Sequence, residues 1–442
     1  MKICAYVQDG YAKANYKNEC METRKFAGLR VIIDCLERNG YVVEYAGSAT
    51  VHAYDVVLVS LTSDCDWWSF IKERSGWRPG NYNVVIGGAG VLHVSPFLRW
   101  GDYFVIGRGE NIIVPLIRAI KDGDDYEHES VIVSKTFSPD KIYRISQSEC
   151  TYSHKIDMGD GKAYQEGAMG CNHKCLFCGY TWHRKFVSDI SDTYKMSDSL
   201  FGGIEGKELA MLDLHKDQSV DFAHLRTTAI DGMSERLRYM VNKHISKDML
   251  LWFLKSMLGS QQNAHQIKLY NIIGYPTETL DDWMEFLETI KQADAEANTR
   301  AKQWSIVLHS TPFRPMPATP MACKPMSKRN YRGEVGRALG KGLRGNLIYQ
   351  GKSVWAVESM GTESLPTVML SAIAHRGSAN DSENILKLCN TSKFWSASSA
   401  IKEATLSRYF DMDALFGDYT ADTLPSRYLR TYLPIERAWE SG

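Results

Sequence analysis

Cys171, Cys175 and Cys178 fall within eight residues at C-x3-C-x2-C spacing, in a run that opens at Gly170. Three thiolates this close on one loop suit three irons of a [4Fe-4S] cluster and leave the fourth iron open to a small molecule. A tetrahedral zinc site needs a fourth ligand and commonly pairs two C-x2-C units. The remaining cysteines are dispersed singly, and His173 stands between two of the three thiols, where its reach is awkward. A fold that uses such a loop must wall it in, because the shell around a metal centre controls solvent access.

At 442 residues the chain exceeds one ordinary domain, and 44% hydrophobic residues supply more than one packed core. Its 52 basic and 52 acidic residues cancel, so attraction to nucleic acid has to be local rather than global. No apolar run has the length of a transmembrane helix, and the N-terminal MKICAYVQDGYAK lacks a signal-peptide core. Cys4, Cys20, Cys35, Cys65, Cys150, Cys323 and Cys389 read as thiols of a reducing compartment. With an oxygen-sensitive cluster, that points to the cytoplasm and to no membrane partner.

The first third alternates strands and helices. Strands are expected at 2–7, 41–45, 56–60, 84–86 and 103–106, and helices at 23–39 and 111–121. The run at 56–60 is nearly all apolar, as in a strand buried on both faces. This pattern predicts a doubly wound parallel sheet with a ligand crevice at the carboxyl ends of its strands. Two strands run into glycine-rich turns, one with Gly87, Gly88 and Gly90, the other with Gly107, Gly109 and Glu110. Glycine there tolerates positive φ and lets backbone approach a ligand; a tight turn of any α/β sheet uses it equally.

Beyond the cysteines a strand is expected at 208–214, and a second ends in the turn Asp231-Gly232-Met233-Ser234-Glu235-Arg236. A carboxylate or hydroxyl suits a diol and a guanidinium suits a carboxylate. Asp231 or Ser234 serves equally as an ordinary helix N-cap. A strand from Ile267 through Asn271 reaches Gly274-Tyr275-Pro276-Thr277-Glu278-Thr279, followed by a helix at 280–293. A strand at 304–309 ends at His309, read as a substrate contact or a structural histidine, and a proline-rich loop follows.

These segments, in this order, resemble the radical S-adenosylmethionine (SAM) family, in the branch with an N-terminal cobalamin-binding-like domain. The resemblance covers roughly residues 84–110 and 162–320, and Phe177 takes the aromatic place of the family motif C-x3-C-x-aromatic-C. It implies that SAM chelates the open iron and is split, on one-electron reduction, into methionine and a 5'-deoxyadenosyl radical. It implies that Phe177 packs beside the cluster. Asp231, Ser234 and Arg236 would hold the SAM ribose and carboxylate, and the strand at Asn271 to Gly274 would line its adenine. Gly87, Gly88, Gly107 and Gly109 correspond to the cobalamin-side turns. The D-x-H-x-x-G motif that supplies an axial histidine is absent from residues 1–30, and His52 and His93 lack its context. Either cobalamin binds without that ligand or the domain has lost the cofactor.

The expected architecture is α/β. A Rossmann-like sheet spans 1–125, a linker 126–160, a partial (βα)6 barrel 161–321 with its first strand at 162–168 and its last at 304–309, and a mostly helical specificity domain 322–442. The expected activity is radical C–H activation leading to rearrangement or carbon–carbon bond formation, with an external flavodoxin- or ferredoxin-type reductant and a small-molecule or modified-nucleobase substrate. The alternatives are a cobalamin-dependent methyltransferase, a phage-type isomerase of an amino-acid-modified thymine in DNA, and a non-catalytic Fe–S or zinc nucleic-acid-binding protein. Residues 324–352 carry eight basic residues against Glu334 alone, with Tyr331 and Tyr349 interleaved, which suits nucleic acid or a solvated face.

Overall fold

The computed structural model describes residues 1–6, 27–157, 163–166, 168–171, 174–188, 227–259, 266–296, 304–327, 347–352, 354–360, 365–391 and 393–431. The first sheet is built from β1 (Ile3–Tyr6), β2 (Val43–Ala46), β3 (Val56–Ser60), β4 (Asn83–Gly87), β5 (Tyr103–Val105) and β6 (Val131–Val133). Its strand order is β2-β1-β3-β4-β5-β6, with the first five parallel and β6 antiparallel to β5. The expected parallel sheet is present. The sixth strand carries it past residue 125, into the segment read as a linker.

Residues on β3 alternate between two cores, as a strand covered on both sides requires. Val56 and Leu58 pack with Leu29, Ile33 and Leu36 of α1 (Ala27–Arg38) and with Ile113, Leu116 and Ile117 of α3 (Ile113–Asp122). Val57 and Val59 face Trp67, Phe70 and Ile71 of α2 (Asp66–Arg74). On this second face Trp67 stacks on Phe97 with ring centroids 4.2 Å apart. Each fully buried side chain of this size contributes about 1.5–3 kcal/mol.

The second sheet has the order β8-β9-β10-β12-β11, comprising β8 (Thr227–Ala229), β9 (Gln266–Ile273), β10 (Trp304–Pro312), β11 (Leu347–Gln350) and β12 (Val354–Met360). Here β7 is the short strand Tyr143–Arg144, outside both sheets. β8, β9, β10 and β12 are parallel, and β11 returns antiparallel along β12. One face is covered by α6 (Lys247–Gly259) and α7 (Leu280–Glu296), with Phe253, Leu254, Trp283 and Phe286 in the core. Between them in the chain, α4 (Gly179–Trp182) follows the cysteines and α5 (Glu235–Met240) follows β8.

Three expectations change. The strand at 304–309 is not the last of its sheet, because β12 pairs alongside it, and the sheet runs beyond residue 321. The segment at 162–168 is not a strand of this sheet: Ala163–Tyr164 and Ala168–Met169 each form a short antiparallel ribbon, with Ile156–Asp157 and Val187–Ser188 respectively. The strand read at 208–214 lies outside the described residues, as does 328–346, most of the basic segment.

The helices expected in the tail are present as α8 (Leu365–Arg376), α9 (Asp381–Asn390), α10 (Ser399–Tyr409) and α11 (Met412–Phe416). They share the core of the first sheet: Val368, Ile373, Phe394, Leu406 and Phe416 cluster with Trp67, Phe97 and Phe104. Tyr428 accepts hydrogen bonds from the Val94 amide at 2.9 Å and the Ser95 amide at 3.3 Å. The next residues, Leu429–Arg430, form β13 beside β7.

Candidate active site: the cysteine loop and the adjoining cavity

The cysteine loop is closed by its own hydrogen bonds. Lys174 takes a left-handed φ of 53°. The Cys178 amide donates to the Cys175 carbonyl at 3.1 Å, and Trp182 Nε1 donates to the same carbonyl at 2.9 Å. Thr181 Oγ1 donates to the Cys171 carbonyl at 2.7 Å. From outside, the Leu176 amide donates to the Val241 carbonyl at 3.0 Å, and Asn242 Nδ2 donates to the Lys174 carbonyl at 3.0 Å. Cys175 is buried, and Cys171 and Cys178 are partly so. Burial pushes the Cys175 thiol up to about 12, and burial raises Cys178 too. These thiols stay protonated unless a metal displaces the proton. The three bear on one another electrostatically. Among the described residues no three candidate side chains are gathered around a single ion. Asn172 and His173 lie outside the described residues.

Phe177 packs against an apolar cluster that includes Tyr275, Phe313 and Met321. Its ring centroid is 6.4 Å from that of Tyr275. The buried Tyr275 hydroxyl donates to the Asp231 carbonyl at 2.8 Å. Asp231 itself has φ 52°, and its carboxylate accepts from the buried Lys243 Nζ at 2.8 Å. Lys243 and Asp231 both act on the Cys175 thiol, the cation lowering its pKa and the carboxylate raising it.

Ser234 and Arg236 both engage groups of the protein itself. Ser234 is the N-cap of α5: its oxygen accepts from the Leu237 amide at 3.2 Å, and its hydroxyl donates to Asp282. Arg236 donates to Asp282 Oδ2 at 2.6 Å and to the Thr277 carbonyl at 2.9 Å. Both lock α5 to the turn that opens α7. Asn271 shares a strand face with Ile267, Leu269 and Ile273, which pack under α6 and α7. Its side chain is 1% exposed, and it stands opposite Ser310 in the β9–β10 register. The other face of the strand carries Tyr270, edge-on to His309 with ring centroids 5.1 Å apart. Gly274 has φ 78°, and its amide donates to Glu278 at 2.6 Å. Burial pushes the Glu278 carboxyl up to about 7.

A cavity of about 650 Å3 opens at the carboxyl ends of β3, β4 and β5, and Gly87, Gly88, Gly107 and Gly109 all line it. Its opposite wall is Cys178–Arg184, the end of the cysteine loop, together with Met316 and His375. The glycines have an internal reason as well. Gly88 and Gly107 have φ 112° and 89°, and a Cβ would collide with the Leu61 and Ser146 backbones respectively. Close approach to neighbouring protein backbone thus demands glycine at these two turns.

Charged groups that sequence reasoning missed surround this space. Arg108 makes two hydrogen bonds to Glu166, each 2.7 Å, and an ion pair with Glu110 at 2.6 Å. Glu110 Oε2 and Arg108 Nε are buried without a hydrogen-bond partner. Asp64 pairs with Arg314 at 3.2 Å and lies 3.6 Å from His375 Nε2, while His375 Nδ1 is buried without a partner. The Gly-x-Gly-Glu turn signalled Arg108 and Glu110. No local pattern signals His375, which α8 delivers from the far end of the chain. His93 is no ligand candidate: its ring nitrogens meet Tyr428 and the Gly377 carbonyl.

No protein-family model matches the chain. Over 295 residues it is 24% identical to the uncharacterized protein MJ0966 of Methanocaldococcus jannaschii, covering 55% of this chain and 64% of that one. Two solved structures are similar to it in part. The radical S-adenosylmethionine methyltransferase TsrM from Kitasatospora setae, with tryptophan and a SAM analogue bound, aligns at TM-score 0.26 and 13% identity over 70% of this chain and 59% of its own. The cobalamin-dependent S-adenosylmethionine radical enzyme OxsB aligns at 0.27 and 12% over 70% and 44%. The chain spans less than two thirds of each of these proteins, and scores this low transfer neither fold nor chemistry.

Proposed function

We propose that this chain is a radical SAM enzyme in which Cys171, Cys175 and Cys178 hold a [4Fe-4S] cluster and the adjoining cavity holds a corrinoid, so that its reaction is methyl transfer to an unactivated carbon. The observation that carries this reading is the shared wall. The segment that closes the cysteine loop, Cys178–Arg184, is also one side of the cavity lined by the two glycine turns. A corrinoid suits the space chemically. The walls are mostly glycine and aliphatic residues at the carboxyl ends of a doubly wound sheet, where such ligands bind. Arg108 and Glu110 add a charged pair to this lining. When bound, the cluster supplies the electron that cleaves SAM and the corrinoid supplies the methyl group.

The chain's own residues bind, orient and exclude water. The three thiolates hold iron and leave one position open. Phe177, Tyr275 and Phe313 cover one side of the loop with apolar surface. Lys243 lies near the cysteines with its charge balanced by Asp231. The electron comes from an external flavodoxin- or ferredoxin-type donor. The rearrangement reading rests on the missing D-x-H-x-x-G motif, and the DNA reading on residues 324–352, most of which lie outside the described residues.

The test is anaerobic: reconstitute with iron and sulfide, add SAM and dithionite, and measure 5'-deoxyadenosine with and without cobalamin. Formation that falls to background in Cys175→Ala supports the radical SAM reading. Full iron loading with no SAM cleavage under any substrate condition overturns it. Cobalamin-independent turnover returns the choice to rearrangement.

A further inference from the structure

We infer that Arg184, held on the ring of Tyr180, anchors an oxyanion in the cavity at the wall it shares with the cysteine loop. The oxyanion is a carboxylate of the substrate or the phosphodiester of a corrinoid's nucleotide loop. This deepens the reading above, in which the cavity holds a corrinoid.

Both residues line the cavity, Tyr180 on the short helix α4 that follows Cys178 and Arg184 just beyond its end. The Arg184 guanidinium carbon lies over the Tyr180 ring, 4.4 Å from its centroid. A cation held on an aromatic face keeps its N–H groups for other partners. Here they are unspent: among the described residues Arg184 makes no hydrogen bond and no ion pair. None of its nitrogens is shut away from solvent, so the donors reach open space. Tyr180 is 47% exposed and Arg184 partly buried, so the pair stands at a surface and not in the core.

The neighbouring charges explain why this cation is available. Arg108 does the bonding for both nearby carboxylates, Glu166 at 2.7 Å and Glu110 at 2.6 Å. Glu166 also accepts from the Tyr152 amide at 2.7 Å. It feels Arg184 electrostatically without being bonded to it. One arginine thus serves two acids, and a second arginine serves none. An open guanidinium fork matches an acceptor with two oxygens, which carboxylate and phosphate both supply. The other walls are mostly glycine and aliphatic, and in such a pocket the few polar groups fix how the occupant lies. An anchor within Cys178–Arg184 ties that orientation to the loop that carries the cysteines.

The experiment uses the full-length chain and compares binding of cobalamin with that of cobinamide, which lacks the nucleotide loop and its phosphate. Where the phosphate is the anion, cobalamin binds about tenfold tighter, and Arg184→Gln closes the gap by weakening cobalamin alone. Where the substrate supplies the anion, any gap is the same with and without Arg184. The second arm then follows the Arg184 Nε–H resonance of 15N-arginine-labelled chain, with cobinamide present, as acetate or inorganic phosphate is added. A saturating shift that Arg108 does not share supports a substrate oxyanion. A gap indifferent to Arg184, together with a shift that never saturates, overturns the anchor. The resonance is identified by its loss in Arg184→Lys, which keeps the charge, so this arm stands even where Arg184→Gln fails to fold. Failure of both corrinoids to bind overturns the corrinoid reading, and the second arm, run without cobinamide, still decides the anchor.

Discussion

Asp282 and Asp64 each tie two segments together, one at the corner of the second sheet and one at the mouth of the first. Asp282 accepts from Ser234, from Arg236 at 2.6 Å and from the Thr279 amide at 2.8 Å. No buried atom of Ser234, Arg236 or Asp282 is left without a partner. Asp64 holds Arg314 and faces His375, whose Nδ1 is buried without a hydrogen-bond partner. Buried polar groups are nearly always satisfied, so the two networks differ in how completely their hydrogen-bonding capacity is used. Of the residues that sequence motifs selected around the second sheet, Ser234 and Arg236 are saturated, whereas Asn271 Nδ2 and Oδ1 are buried without a partner. Those around the cavity include several that are not saturated.

The contrast can be broken most forcefully at Gly88. Gly88→Val sets a side chain against the Leu61 carbonyl at positive φ, and should cost about 4 kcal/mol in chemical denaturation. A near-neutral result means that the turn relaxes and the cavity wall is not rigid. Next comes Glu278, whose carboxyl burial raises from 4.5 to about 7. The folded chain keeps a proton that the unfolded chain releases, so stability should fall as pH rises across that window, by roughly 3 kcal/mol. Glu278→Gln should flatten the slope in pH-dependent unfolding; an unchanged slope assigns it to another group.

Asp282→Asn should cost about 2 kcal/mol in thermal or urea unfolding, since charge-assisted bonds from Arg236 and the α5 cap weaken together. Hydrogen bonds from Ser234, the Thr279 amide and Arg236 hold this carboxyl below its ordinary range against the upward push of burial. Its contribution is present above about pH 4 and is lost as pH falls further. The smallest effect belongs to Arg236→Ala. That side chain is half exposed, so the loss should stay under about 1 kcal/mol with SAM binding unchanged. A tenfold loss of SAM affinity at unchanged stability restores the role the resemblance implies, and the corner then ceases to be purely architectural.

Much of the fold is legible in local residue patterns. The apolar run at Val56–Ser60 announces a strand covered on both faces, and Thr23 to Asn39 announces a helix that settles at Ala27–Arg38. The two glycine turns predict a crevice, and the cavity lies there. Local periodicity cannot show β6 closing the first sheet antiparallel, nor β12 joining β10 beyond residue 321, because such pairings depend on long-range register. At the site, residue type suggests a diol contact for Ser234, yet the hydroxyl caps a helix, a role the same pattern encodes equally well. His375 has no local signature, since only packing of α8 on the first sheet brings it to Asp64.

The tie between Tyr428 and the Val94 and Ser95 amides has a consequence for how the chain is made. On a ribosome adding about 5–20 residues per second, the strands of the first sheet emerge tens of seconds before the tyrosine that completes their buried face. Trp67, Phe97 and Phe104 spend that interval without the helices that later cover them. The nascent first unit is therefore a natural client for chaperones, and its core closes only after Tyr428 has been made.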